Sequence, residues 1–252
     1  MKVLLTLFFK ELRACFYSPM AYIVLAMVMV INGFSFRAAI AALEQQPQAT
    51  SIVTWTFASS WFWLSYFFVF PLVTMRLFAE ERKLGTFETL FTAPVRSWQV
   101  VASKFLSSVF FYILLWVPSY LCLITFNWMT NGAAEIPSGA LIGTYILLLF
   151  MGLFNLAMGC FASSLTANQI VAAVLSFTLS LMHYLVGFFV LHLGSQVPEV
   201  YRDLVYYIAS AEHILTFTVG LLDSRPLVYY GTMTLFFLFL THHVVEYRRW
   251  RA

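Results

Sequence analysis

Charged residues divide the chain into long uncharged stretches that alternate with short polar segments. A membrane-spanning helix needs about 20 consecutive, mostly apolar residues, and four of the uncharged stretches each hold one such helix. A fifth stretch, between Glu135 and Glu199, is too long for one helix and is interrupted by the polar run 163–169. The pattern therefore predicts six membrane-spanning helices, over residues 18–40, 56–79, 98–126, 138–162, 168–192 and 226–246.

Residues 204–222 are also apolar, but Glu212 and His213 lie near their centre. A charged side chain at the centre of a bilayer is costly. We therefore predict a re-entrant segment over residues 195–224, consisting of one or two short helices that dip into the membrane edge. A seventh complete span is the less favoured alternative.

Residues 1–17 show the three-to-four-residue spacing of an amphipathic helix. The polar face holds Lys2, Thr6, Lys10, Arg13 and Tyr17, and the apolar face holds Leu4, Leu5, Phe8, Leu12 and Phe16. We predict a helix that lies in the membrane interface and uses Lys10, Glu11 and Arg13 as its functional charges. No small-residue cleavage site follows the apolar run, so it is not interpreted as a signal peptide.

Composition and charge support a membrane protein and orient it. The chain is 62% hydrophobic and 10% charged, with a mean hydropathy of +0.84, whereas soluble domains carry about 25% charged residues. These values exclude a soluble enzyme, a disordered chain and a nucleic-acid-binding domain. Six spans place both termini on one side together with eleven of the 14 basic residues, which predicts cytoplasmic termini. Three cysteines without CxxC spacing predict neither a disulfide framework nor a metal site.

The longest cytoplasmic loop, residues 76–96, joins the second and third predicted spans and is dense in charge. Thr86 follows Gly85 and can cap a short helix, in whose first turn the Glu88 carboxylate is favourable. Pro94 ends that helix. Its apolar edge consists of Phe87, Leu90 and Phe91. We interpret this loop as a docking element for another protein; the alternative is a solvated loop.

Three runs of residues resemble the permease subunits of type-2 ABC exporters. They are the coupling-helix signature Glu80-Glu81-Arg82-Lys83-x-Gly85-Thr86-x-Glu88-x-Leu90-x-Thr92-Ala93-Pro94-Val95, the opening Phe9-Lys10-Glu11-Leu12 with Ser18-Pro19-x-Ala21-Tyr22, and the turn Ser163-Ser164-Leu165-Thr166-Ala167-Asn168-Gln169. The run Pro71-Leu72-x-Thr74-Met75-Arg76 and the chain length are most similar to the gliding-motility-associated permeases. Copper-related, sodium and drug exporter permeases are also similar.

The resemblance implies an all-α, single-domain permease over residues 1–252 that moves an unidentified substrate outward across the bacterial inner membrane. Two permease subunits, identical or different, would each sit on a separate ATPase subunit. ATP and Mg²⁺ would bind to the ATPase, because this chain has no G-x-x-x-x-G-K-[ST] loop. The outer segment 195–224 would act as a gate, and an extracytoplasmic accessory protein and membrane lipid are further candidate partners. The implied ATPase-coupling residues are Glu80, Glu81, Arg82, Lys83, Gly85, Thr86, Phe87, Glu88, Leu90, Phe91 and Pro94.

Other polar and small residues have open interpretations. His183 is a candidate for the transport pathway or a packing histidine within the fifth span. Glu212 and His213 are candidates for a gate or an ion-sensing pair, although two solvated residues are favoured. The Gly139–Gly143 pattern and a small-residue stripe predict close helix packing, either within the subunit or between subunits. The stripe consists of Ala172, Ser176 and Ser180.

Two other functions remain as alternatives to a transport subunit. The first is a non-transporting membrane anchor that converts ATPase work into mechanical or assembly function. The second is an intramembrane enzyme, which would need catalytic polar residues at matching depths on different helices. His183 has no evident serine or aspartate partner in the sequence, so this alternative is the weaker one.

Overall fold

The computed structural model describes residues 2–45, 51–86, 95–131, 136–192 and 206–250. These ranges form helices and turns, with no strand among them, in agreement with the predicted all-α fold. The helices are α1 (Lys2–Tyr17), α2 (Pro19–Gln45), α3 (Ile52–Ala58), α4 (Ser60–Thr74), α5 (Ala79–Lys83), α6 (Ser97–Met129), α7 (Ser138–Leu165), α8 (Gln169–His192), α9 (Ser210–Thr218) and α10 (Ser224–Arg249).

Six helical stretches in the described ranges are long and apolar enough to cross a membrane. They are Pro19–Gln45, Ser60–Lys83, Ser97–Met129, Ser138–Leu165, Gln169–Phe189 and Ser224–Arg249. Each overlaps one of the six spans predicted from the uncharged stretches, so that prediction is confirmed. The chain is therefore a multi-pass membrane protein.

The second span begins later than predicted because the helix is interrupted at Ser59. This residue has an extended backbone, with ψ of 147°, and separates α3 from α4. Its hydroxyl accepts a hydrogen bond from the Phe62 amide at 3.2 Å, which is N-cap geometry. The short helix α3 instead packs beside α9, where the Thr54 hydroxyl donates to the Thr218 carbonyl at 3.5 Å.

The polar turn between the fourth and fifth spans is shorter than the predicted 163–169, because α7 continues to Leu165. Ser163 lies inside α7, and its hydroxyl accepts hydrogen bonds from the amides of Phe78 and Ala79 at 3.1 and 3.2 Å. These amides precede or begin α5 and have no partner within that helix. Ser163 therefore ties the start of α5 to α7.

Helix α7 lies at the centre of the bundle and contacts α4, α6, α8, α9 and α10. Small residues permit this packing: a Cβ atom at Gly159 would lie 2.2 Å from the Thr74 hydroxyl oxygen. The stripe on α8 is buried within the subunit, and Ser176 lies 3.5 Å from Thr74 between the hydroxyl oxygens. The stripe is therefore an internal packing surface, as is Gly143, which faces Leu222 and Phe217.

Helix α9 occupies the part of the chain where a seventh span was the alternative. It has nine residues, which extend over about 14 Å, whereas a hydrocarbon core is about 30 Å thick. The structure therefore favours a short helix over a seventh span in this region. Residues 195–205 of the predicted re-entrant segment lie outside the described residues.

Candidate functional site

Four charged side chains meet between three helices at one end of the bundle. Lys104 of α6 lies 3.0 Å from Glu11 of α1 and 2.9 Å from Glu81 of α5, measured between nitrogen and carboxylate oxygen. Lys10 of α1 lies 3.1 Å from the other oxygen of Glu81. We call these four residues the charge cluster and this end of the bundle the basic end.

Lys104 is the most buried member of the charge cluster, with 2% of its side chain exposed. Its ammonium group also lies 5.6 Å from the centre of the Phe78 ring, within range of a cation–π contact. A buried lysine is tolerated when carboxylates and hydrogen bonds compensate for its lost hydration. Glu11 and Glu81 provide that compensation, and so α1, α5 and α6 are joined through one ammonium group.

Lys10 closes the charge cluster on its solvent side, with 52% of its side chain exposed. Partial burial favours the neutral form of its amine, but the carboxylates of Glu81 and Glu11 outweigh that effect and raise the pKa of Lys10 above its ordinary value. Lys10 is therefore charged at neutral pH. Arg13, also predicted to act on α1, is exposed and takes no part in the cluster.

The structure divides the predicted ATPase-coupling residues into inward and outward groups. Glu81 faces the charge cluster, and Arg82 donates a hydrogen bond to the Ser164 carbonyl at 3.1 Å. Glu80 lies partly exposed beside Arg76, whereas the residues that follow Arg82 are exposed. These exposed residues are Lys83, Leu84, Gly85 and Thr86. The predicted coupling residues Phe87, Glu88, Leu90, Phe91 and Pro94 lie outside the described residues.

Gly85 ends α5 with a backbone conformation that glycine adopts readily. Its φ is +70°, in the left-handed region where a Cβ atom would introduce strain. The Leu84 amide donates to the Glu80 carbonyl at 3.0 Å, and the Gly85 amide donates to the Arg82 carbonyl at 3.3 Å. This geometry resembles a glycine C-cap.

Two arginines close the carboxyl end of α7. Arg82 donates to the Ser164 carbonyl, and Arg248 of α10 donates to the Leu165 carbonyl at 2.9 Å. The last carbonyls of a helix have no partner within the helix and carry partial negative charge. Arg82, predicted as a partner contact, therefore has an internal structural role as well.

A polar network joins α8, α9 and α10 at the opposite end of the bundle. His183 lies 3.1 Å from the Tyr229 hydroxyl and 3.4 Å from the Ser210 hydroxyl, each measured from a ring nitrogen. The Tyr230 hydroxyl lies 3.2 Å from Ser210 and 2.9 Å from Nδ1 of His213. The two histidines that the sequence singled out separately thus belong to one network, which we call the histidine network.

His213 is buried, and both its ring nitrogens have partners, so the prediction that it is solvated is wrong. Its Nε2 lies 2.7 Å from the Tyr206 carbonyl, which can only accept, so Nε2 carries a hydrogen. Burial lowers the pKa of His213, although the Tyr206 carbonyl and Asp223 oppose the shift. The Tyr230 hydroxyl donates to Ser210, and its oxygen lies 2.9 Å from Nδ1 of the ring.

His183 has the geometry of a structural histidine. Both its nitrogens have partners, and its ring packs edge-on against Phe154, with ring centres 4.8 Å apart. The packing interpretation is therefore favoured, and a role in a transport pathway stays a prediction.

Glu212 differs from its neighbour His213 because it is partly exposed between two cavities. One cavity, of about 440 Å³, also contacts Asp223 and Arg225. The other, of about 510 Å³, is lined by aromatic side chains including Trp63 and Tyr184. A carboxylate in this position can respond to what enters either cavity, which is compatible with the predicted gate.

Sequence reasoning missed Lys104 as a functional residue and treated it as the boundary of an uncharged stretch. The available signal was a lysine within the predicted span 98–126, because a charge at that depth requires a partner. Glu11 and Glu81 were both predicted as functional residues, but in two separate motifs. Ser210 and the adjacent Tyr229 and Tyr230 were missed because their pairing depends on how three helices pack.

The fold and these two polar clusters define a multi-pass helical membrane protein whose charged end has exposed side chains that can meet a partner. Residues 40–240 match the family described as ABC-2 family transporter protein. The chain belongs to this family and is a membrane-spanning permease subunit of an ABC transporter, not a catalytic subunit. Membership implies an ABC ATPase as partner. Among curated proteins, none matches the chain. The similarity to gliding-motility permeases stays a prediction.

Proposed function

We propose that this permease exports its substrate outward across the bacterial inner membrane when it is seated on a separate ATPase subunit. The basic end faces the cytoplasm, and the contact is made by α1 and residues 80–96. Two permease and two ATPase subunits form the complex. The observation that carries this proposal is the charge cluster, because it connects both proposed contact segments to α6 through Lys104.

Exposed side chains at the basic end support the proposed contact. Leu84 is 67% exposed although it is large and apolar. It lies beside exposed Lys83 and two residues before exposed Thr86, so an apolar contact would be bordered by polar side chains. Such an arrangement is typical of protein interfaces, where an apolar centre has a polar rim. The apolar edge that the sequence predicts at 87–91 is proposed as part of the same contact.

The charge cluster also supports a way to transmit motion. Moving α5 away from α6 would separate Glu81 from buried Lys104, and breaking a buried ion pair costs about 3–5 kcal/mol. Displacing α5 and α6 together avoids that cost. A push by the ATPase on α1 or α5 therefore moves α6 as well. ATP and Mg²⁺ bind to the ATPase. This chain transmits the resulting motion to its membrane-spanning helices.

At the opposite end, the histidine network connects that motion to the proposed gate. Ser210 and His213 of α9 hydrogen-bond to residues of α8 and α10. A change in the distance between α8 and α10 therefore changes the position of α9. We propose that residues 195–224, including Glu212 and His213, open and close the outer side of the pathway.

Matched substitutions of two exposed leucines test the proposed contact. Leu84 at the basic end and Leu221 at the opposite end are 67% and 64% exposed. With an ATPase subunit coexpressed from a neighbouring gene, the wild-type chain and Leu221→Asp should copurify with it. Leu84→Asp should reach normal yield in the membrane but lose the ATPase.

Full ATPase binding by Leu84→Asp would contradict the contact through this segment. Loss of binding by Leu221→Asp as well would show that the assay reports general damage. A purified chain that hydrolyses ATP without any partner would overturn the division of labour between the two subunits.

A further inference from the structure

A cavity of about 290 Å³ lies between α1, α2, α4, α5 and α6, next to the charge cluster. It contacts Leu84 beyond the end of α5 and reaches Phe111, which is fourteen residues into α6. At 1.5 Å per residue, Phe111 lies about 21 Å along α6 from Ser97. The cavity therefore extends from the basic end to a depth well inside the spans.

The deep part of the cavity is apolar. Val24 of α2, Leu72 and Val73 of α4, and Phe111 of α6 line it. These residues belong to helical stretches that are long and apolar enough to cross a membrane. An acyl chain from the membrane can occupy such a surface without being exposed to water, whereas a polar metabolite or nucleotide would lose its hydration there.

The shallow part of the cavity is charged but balanced. Among the described lining residues, three are basic and three are acidic. Three of these six, Lys104, Glu11 and Glu81, are bound to one another at distances of 3.0 Å or less. Lys10 is also engaged, at 3.1 Å from Glu81 and 3.3 Å from Glu11. The charges available to a ligand are therefore those of Arg76 and Glu80.

Arg76 and Glu80 are only loosely paired. Their closest nitrogen and oxygen are 3.8 Å apart, and their side chains are 37% and 41% exposed. Arg76 donates one hydrogen bond to the Ser18 hydroxyl, which leaves most of its five N–H donors for another acceptor. A guanidinium and a carboxylate are thus presented side by side at the mouth of an apolar cavity.

We propose that this cavity binds a membrane phospholipid whose headgroup carries both a phosphate and a primary ammonium group. The phosphate lies on Arg76, because a guanidinium fork matches phosphate oxygens. The ammonium donates to Glu80, and one acyl chain lies among Val24, Leu72 and Phe111. The site is formed by residues of this chain alone, and its test needs no ATPase subunit.

Charge and hydrogen bonding separate this lipid from others. An anionic headgroup without an amine would place negative charge beside Glu80 and leave that carboxylate unpaired. A quaternary ammonium group carries no N–H and cannot donate to Glu80. Phosphatidylethanolamine should therefore bind more tightly than phosphatidylglycerol or phosphatidylcholine with the same acyl chains.

Thermal unfolding of the full chain in detergent, with each of these three lipids added in increasing amounts, tests the proposal. Phosphatidylethanolamine should raise the melting temperature saturably and at the lowest concentration. Arg76→Gln and Glu80→Gln should each raise its half-saturating concentration about tenfold or more, the effect expected for loss of a charge-assisted hydrogen bond. Arg225→Gln and Lys83→Gln, whose residues lie outside the cavity, should leave it unchanged.

A second variant keeps the test decisive if Arg76→Gln fails to fold. Val73→Trp would fill the apolar part and should abolish the phosphatidylethanolamine effect while leaving the headgroup residues in place. Equal stabilisation by phosphatidylglycerol or phosphatidylcholine would overturn the proposal. So would stabilisation by free phosphoethanolamine at the same concentration, which would indicate a soluble ligand, or an unchanged lipid response in both Glu80→Gln and Val73→Trp.

Discussion

At the scale of single residues, buried polar groups have the largest consequences. Lys104 and His213 are both almost completely enclosed, and each is compensated by groups from other helices. Their substitution should therefore change stability far more than substitution of exposed residues of the same type. The chemistry of each group gives one prediction.

Lys104→Met should destabilise the protein by up to about 3–5 kcal/mol, because it leaves the largely enclosed carboxylates of Glu11 and Glu81 with Lys10 as their remaining counter-ion. The combined variant with Glu11→Gln and Glu81→Gln should recover most of that loss, since no buried charge then lacks a partner. Denaturant unfolding in detergent measures both free energies.

The exposed Lys83 supplies the matched control: Lys83→Met should change the free energy of unfolding by about 0.5 kcal/mol or less. A combined variant no more stable than Lys104→Met would show that the lysine matters for packing and not as the counter-ion of two carboxylates.

The pKa of His213 is lowered in the folded protein, so its neutral form stabilises the fold. This contribution is fully present above the ordinary histidine pKa of about 6.5 and is lost as the pH falls through and below that value. His213→Gln, which keeps an N–H donor for the Tyr206 carbonyl, should reduce the fall in melting temperature between about pH 7.5 and 5.

The exposed His243 gives the comparison on the same chain. His243→Gln should retain the wild-type pH dependence of the melting temperature. If His213→Gln retains it too, protonation of His213 does not contribute to acid destabilisation.

At the scale of elements, the spans follow from apolar length, but their ends and contacts follow from packing. The uncharged stretches predicted all six spans, because a hydrocarbon core imposes a minimum apolar length. The break at Ser59 was not predictable in this way, since Ser59 and Ser60 are both uncharged and Ser59 caps α4 only when α3 turns towards α9. Pairing of Lys104 with Glu81 likewise depends on where the folded bundle places α5 relative to α6.

The close contact between α7 and α4 gives a prediction at this scale. Gly159→Ala should destabilise the protein by about 1–3 kcal/mol, the usual cost of overpacking, because its Cβ would lie 2.2 Å from the Thr74 hydroxyl. Gly33→Ala in α2 is the control, since no atom lies within 4 Å of its Cβ position. That variant should be unchanged or slightly more stable, as alanine favours helix.

Melting temperatures in detergent distinguish the two glycine variants. Equal effects at Gly159 and Gly33 would mean that α7 moves away from α4 at little cost, and that the bundle is less tightly packed around α7 than its burial indicates.

At the scale of the whole molecule, the basic end and the opposite end have different chemistry. The first holds the charge cluster and the exposed residues after α5, and the second holds the histidine network and the cavities beside Glu212. The distribution of basic residues predicts that the first faces the cytoplasm. That orientation sets which end meets the ATPase.

Cysteine labelling of intact cells tests the orientation. Ser224→Cys at the opposite end should react with a membrane-impermeant maleimide, whereas Lys83→Cys at the basic end should react only after the cells are opened. Both positions are exposed in the structure. The reverse pattern would invert the orientation and the direction of the proposed transport.

The closure of α7 by two arginines has a consequence for how the chain is made. Arg82 is synthesised before α7, but Arg248, which bonds to the Leu165 carbonyl, comes more than eighty residues after it. When the central helix α7 is made, the Leu165 carbonyl at its end therefore lacks its partner from α10. During biogenesis the hydrogen bond between α10 and the end of α7 forms only when the last span has been inserted.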